Sequence, residues 1–160
     1  MLNIMSELEE WIQKLAFFLP QVDGNNDLKQ SGYFTLAEID GVVNRIFKIG
    51  QPPAEKVKRF LTLSQEKVER LSLHIVSDKH VSSYQSRNPD KGQWGGAIVA
   101  SDYENQLILS FSGLPEKLDE ALCLVVAGKM KLSFDKQILE LSQNPFYEQV
   151  KKIAEKMDQK

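Results

Sequence analysis

The chain predicts an α+β fold: an antiparallel sheet of about four strands backed by helices, with a mainly helical portion over 1–70 and further helices at the C-terminal end. Three observations carry this. Leu107, Leu109 and Phe111 alternate with Ile108, Ser110 and Ser112, the period of two that a strand requires. Directly after them, Leu118, Ala121, Leu122, Val125 and Val126 recur at helical spacing. Finally, 160 residues with 20 basic and 22 acidic side chains suit one domain over 1–160, able to bury roughly 70% of its unfolded surface.

The elements follow in order. Ser6 and Glu9 fit a capping box, and Leu8, Trp11, Ile12, Leu15 and Leu19 make the apolar stripe of a first helix, which Pro20 ends. Residues 21–32, rich in Asp, Asn and Gly, read as a loop. Thr35 with Glu38 forms a second capping box, and Leu36, Ile39, Val42, Val43, Ile46 and Phe47 predict a second amphipathic helix. Gly50 and Pro52-Pro53 break it, and Pro53 opens a third helix carrying Val57, Phe60, Leu61, Val68 and Leu71. At Leu71 the period changes. Leu71, Leu73 and Ile75 alternate with Ser72, His74 and Val76, which predicts a strand over 71–77, a turn at Asp78-Lys79 and a polar strand over 81–87.

Asn88-Pro89-Asp90-Lys91-Gly92 is a turn cluster. The apolar run 97–100, a polar hairpin loop over 101–105 and the strand 106–112 complete a predicted four-stranded meander. Gly113 frees the backbone to turn and Pro115 suits a first helical position. Glu116, Asp119 and Glu120 place negative charge near the helix start, and Gly128 followed by Lys129 suits its end. A short helix follows over 132–142. Asn144 and Pro145 then open a last helix with Phe146, Val150, Ile153 and Met157 facing inward.

The net charge of −2 is too even to argue for nucleic acid or a membrane surface as a partner. A single cysteine, Cys123, allows no internal disulfide and fits a reducing compartment. The opening residues carry no basic region ahead of a long apolar run, so neither a secretory signal nor a membrane span is expected and the cytoplasm is the expected location. Catalytic signatures are sparse. Ser112-Gly113 stands at a strand-to-helix corner, but Ser110 occupies the place of the first glycine in Gly-x-Ser-x-Gly. No paired Cys or His spacing points to zinc, and Gly95-Gly96 opens no phosphate loop. On these grounds the reading leans away from an enzyme.

Two groups of residues remain as candidates. His80, Tyr84, Arg87 and Trp94 would line one side of the predicted sheet, where Arg87 could act as a bidentate donor to a small anion; half-exposed strand positions explain the same residues. The stretch 27–38 resembles an EF-hand calcium loop. Asp27, Ser31, Gly32, Thr35 and Glu38 fall on its positions one, five, six, nine and twelve, with Phe34 on the apolar eighth. Lys29 departs from the pattern by placing a cation where a ligand oxygen belongs. A calcium site at Asp27, Ser31, Thr35 and Glu38, a metal-free loop of that shape and an ordinary capped loop are all compatible with these residues.

A second resemblance covers about 35 residues. Gly95-Gly96-Ala97-Ile98-Val99, then 107–116 with Ser112-Gly113 and Pro115-Glu116, then Asp119-Glu120-Ala121 are similar to the closing strands and helix of the small haem-binding family related to a glycolate-utilisation accessory protein. That resemblance implies a profilin-like sheet, and a haem or corrinoid-type ligand or no assigned activity. His74 and His80, the only imidazoles, lie outside the matching stretch, so haem is not the expected cofactor. The function expected first is a non-enzymatic cytosolic binding or adaptor protein acting through protein contacts, self-association included. The alternatives are a small-ligand sensor with a cleft on the sheet, and a calcium-responsive protein.

Overall fold

The computed structural model describes residues 2–15 and 31–159. Its sheet is antiparallel and four-stranded. Strands β1 (Gly32–Glu38), β2 (Val43–Ile49), β3 (Ala97–Ser101) and β4 (Gln106–Ser112) lie in the order β2-β1-β4-β3. The fold class and strand number are those expected from sequence, and so are β3, β4 and the loop between them. There Asp102 Oδ1 accepts hydrogen bonds from the N–H groups of Glu104 (2.8 Å) and Asn105 (2.7 Å).

The other two strands come from a stretch that reads as a helix, and this is the main correction. Residues 32–49 form a β-hairpin. Asp40-Gly41 makes its turn: Gly41 takes φ +91°, and the Glu38 N–H donates to the Val42 carbonyl at 2.9 Å. Tyr33, Phe34, Thr35, Val43, Ile46 and Phe47 suit a pleated surface. The register jumps from Leu36 opposite Arg45 to Ala37 opposite Val43, a bulge that leaves Asn44 unmatched.

The second correction concerns 71–87. One helix, α2, runs from Ala54 to Asp78 without a break and ends where Lys79 adopts a left-handed conformation. At about 1.5 Å per residue it is roughly 37 Å long. Its core-facing residues, Phe60, Ser64, Lys67, Val68 and Leu71, keep helical spacing throughout. Leu73 and Val76, expected within a strand, are exposed. The polar stretch 81–87 is no strand; 83–86 is a single 3-10 turn whose capping residue, Ser82, touches the β3 edge at Ile98. The predicted turn at 88–92 is present, with Gly92 at φ +66°.

Helix α2 covers one face of the sheet, packing Val68 and Leu71 on Ala37, Ala97 and Ile108. The opposite face holds the larger core. There Phe34, Ile98, Leu109 and Phe111 meet helices α1 (Leu2–Leu15) and α3 (Glu116–Lys129). β4 is therefore buried on both faces rather than on one. Helix α4 (Gln137–Ser142) is followed by α5 (Tyr147–Asp158), which lies on α3 and α1 and buries Val150 and Ala154. The short helix begins later than expected, and the last one starts after Phe146 rather than at Pro145. The first helix begins at Leu2, so Ser6 lies inside it; Leu8 and Trp11 are buried, while Leu19, Pro20 and the loop 21–30 lie outside the described residues. Lys129, at the end of α3, pairs with Glu7 of α1 and Asp158 of α5.

Candidate functional site

The strand-to-helix corner that follows β4 is tight for a steric reason. Gly113 has φ +151°, and a Cβ there would stand 2.1 Å from the Ser31 carbonyl oxygen. Across from it, a Cβ on Gly32 would meet the Ser112 carbonyl oxygen at 2.2 Å. Two glycines thus let the ends of β1 and β4 close together, and the chain turns into α3. Between this corner and α2 opens a cleft of about 430 Å³. Phe60, Leu63, Trp94 and Phe146 supply apolar walls, while Arg59, Ser112 and Lys117 add polar groups.

An ion pair that the sequence pattern hid borders this cleft. Lys67 stands in the apolar stripe of α2 and is 1% exposed; Asp119, one turn into α3, is 2% exposed. Lys67 Nζ donates to Asp119 Oδ2 at 3.1 Å and to the Phe111 carbonyl at 2.8 Å, and Asp119 Oδ1 accepts from the Leu114 N–H at 3.0 Å. Burial pushes the Asp119 carboxyl up to about 7, with the Lys67 ammonium pulling the other way. Gly96 is part of the same arrangement: a Cβ there would lie 2.7 Å from Lys67 Nζ. Behind it, Cys123 is fully buried, its thiol directed at the Gly96 carbonyl and pushed well up by burial.

Two more carboxylates are satisfied internally. Glu120, fully buried, accepts from Ser82, Ser142 and Asn144; burial raises its pKa and those hydrogen bonds oppose the rise. Glu116 accepts from Arg87 Nε and Nη2, both at 2.8 Å, and from the Gly95 N–H at 3.1 Å. Burial would raise its pKa, but these partners outweigh burial and hold it below the usual range. Of the three acids expected to serve the helix dipole, all are instead partners of specific donors. Arg70 is tied likewise to Glu66, the Ser83 and Trp94 carbonyls and Ser86.

Of the four residues expected to line a cleft, three come together. The Arg87 guanidinium stands 5.2 Å from the Tyr84 ring and 5.8 Å from the Trp94 ring, and Trp94 borders the opening. They do so from a 3-10 turn and loop rather than from a strand. Arg87, expected to be free for an anion, is engaged by Glu116. His80 is elsewhere, at the far end of α2, stacked on His74 with ring centres 5.0 Å apart; burial lowers its pKa.

The EF-hand reading meets different geometry. Asp27 lies outside the described residues. Thr35 and Glu38 belong to a strand, not to an exiting helix, so their side chains leave on opposite faces. Thr35 is buried and shares a 2.8 Å hydrogen bond with Ser64, Glu38 accepts from Asn44 at 2.9 Å, and Ser31 is buried at the start of β1. The three are not gathered about one point. Among the described residues no cluster of three His, Cys, Asp or Glu side chains is placed to hold a metal ion. The donors that border the cleft are also wrong for haem iron, for among the described residues no His, Cys, Met or Tyr lines it. No helix among the described residues is long and apolar enough to cross a membrane.

No family model, curated protein or solved structure matches the chain. The resemblance over 95–128 rests on its quoted residues. Several of them have physical reasons here: Gly96 admits Lys67, Gly113 closes the corner, Glu116 anchors Arg87 and Gly95, and Asp119 holds Lys67.

Proposed function

We propose that the protein is a small-ligand-binding module of the cytoplasm, with its site in the cleft between α2 and the β4–α3 corner. One observation carries the reading. The cleft of about 430 Å³ combines an aromatic and aliphatic wall with a few polar groups, and binding pockets for small molecules are typically of about 300–1,000 Å³ and so composed. The resemblance over 95–128 to the haem-binding family, some of whose members bind haem or corrinoid-type ligands while others have no assigned activity, supports it. The solitary Cys123 supports a reducing compartment.

The test is a fragment panel of anionic, neutral and cationic aromatic compounds, followed through the Trp94 indole N–H resonance and thermal melting. Binding at the cleft shifts that resonance, and Leu63→Trp, which fills the opening, abolishes the shift while the variant stays folded. A ligand present at 100 times its dissociation constant adds about 2.7 kcal/mol of stability. A panel that leaves both readouts flat overturns the proposal.

A second reading, contact with another protein, has its own observation. Val42, Leu73 and Val76 are 59%, 75% and 90% exposed. The β1–β2 turn lies against α2, since a Cβ on Gly41 would stand 2.9 Å from Ser72 Oγ, and Val76 is one turn beyond Ser72. Sedimentation of the wild type beside Leu73→Glu/Val76→Glu tests self-association through this patch; identical monomeric profiles count against it.

A further inference from the structure

We infer that the ligand of the cleft is an organic carboxylate with an apolar, ring-sized body, an inference that rests on the cleft being a binding site. Acids and donors at the cleft differ in how far they are engaged. Both acids that border the cleft are fully engaged: Glu116 by Arg87 and the Gly95 N–H, Asp119 by Lys67 and the Leu114 N–H. The donors are not. The Arg59 guanidinium has no ion pair or hydrogen bond among the described residues, and the Lys117 ammonium faces only the Tyr84 ring, 5.9 Å away. Lys67 uses two of its three protons, on Phe111 and Asp119. Ser112 lines the cleft too, and no side-chain hydrogen bond engages its hydroxyl among the described residues.

Such a set favours an acceptor-only group and disfavours a cation, which would find no open carboxylate. A carboxylate head takes the outer cations, Arg59 and Lys117, which have no carboxylate of their own, by charge-assisted hydrogen bonds. Its apolar body then lies against Trp94, Phe60 and Leu63.

The experiment compares three probes of one shape: 3-phenylpropionate, 3-phenylpropionamide and 3-phenylpropylamine. Each is titrated against the Trp94 indole resonance of the whole protein, its Arg59→Gln/Lys117→Gln variant and its Leu63→Trp variant. These substitutions lie outside the core, so folding is preserved. The acid is expected to bind roughly tenfold more tightly than the amide, with the amine weakest. Arg59→Gln/Lys117→Gln removes most of that preference and leaves the amide unchanged, and added salt weakens the acid alone. An amide or amine that equals the acid overturns the ligand class while leaving the cleft as a site. A preference for the acid that persists in the double variant overturns the assignment of the donors. Silence from all three probes, with other panel members still bound, also rejects the class. Silence from every compound rejects the cleft itself.

Discussion

Lys67 and Asp119 form a pair whose energetics follow from depth. Removing two charges from water costs several kcal/mol each, and deleting one partner leaves the other stranded. Lys67→Met is therefore expected to lower stability by about 3–5 kcal/mol in urea denaturation. Lys67→Met/Asp119→Asn should recover part of this, because Asn still accepts from the Leu114 N–H. The pH dependence has a definite sign. Burial raises the Asp119 carboxyl from 3.8 to about 7, so between those values the folded protein holds a proton that the unfolded chain has released. Its contribution to stability is complete below pH 3.8 and is lost as the pH rises towards 7. Glu120, also raised by burial, acts in the same direction. Asp119→Asn, which has no proton to release, should thus show a shallower decline across this window. An equal slope in the two proteins would contradict the assignment. Gly113→Ala is expected to cost at least about 1–3 kcal/mol, since its Cβ would overlap the Ser31 carbonyl; an unchanged melting temperature would remove the steric reason given for that glycine.

Among the elements, α2 is where two periodicities compete. Leu71, Leu73 and Ile75 alternate, but Leu71 and Ile75 are also four apart, and it is this spacing that meets the smaller core. Leu71→Ala should therefore cost about 2–5 kcal/mol, whereas Leu73→Ala and Val76→Ala should stay within about 0.5 kcal/mol. A strand over 71–77 would make Leu73 as costly as Leu71, and chemical denaturation separates the cases. The hairpin 32–49 shows the converse ambiguity. Its apolar residues fit a helical stripe as well as a pleat, and Thr35 with Glu38 imitates a helix cap. The Asp40-Gly41 pair was the deciding signal, because a turn residue with φ +91° has no place inside a helix. The β3–β4 hairpin, the corner at Gly113 and helix α3 were legible because turn chemistry and period agree there. The site was legible only in part. Tyr84, Arg87 and Trp94 do converge, but Lys67 gave a single local sign, a cation within an apolar stripe. Its partner lies 52 positions away, and sequence spacing carries no trace of such pairing.

Across the whole molecule, the sheet sits between α2 on one side and α1 with α3 on the other, and inward-drawn charges tie different elements together. Lys67 joins α2 to α3, Glu120 joins α3 to the segments around Ser82 and Ser142, and Lys129 joins three helices. Phe111 belongs to the central strand of this frame and is fully buried; Phe111→Ala should cost about 3–5 kcal/mol and lower the melting temperature for all elements together. Two separate transitions would show instead that the helices on either face are independent units.

Helix α3 is enclosed along nearly its whole length, residues 118–127 all being buried, and the sole sulfhydryl of the chain lies inside that span at Cys123. Alkylating reagents can reach it only when the surrounding layers part, and only the deprotonated sulfur reacts. The rate at which iodoacetamide labels the native protein should therefore track global opening rather than surface access, making this atom a built-in clock for rare excursions from the folded state.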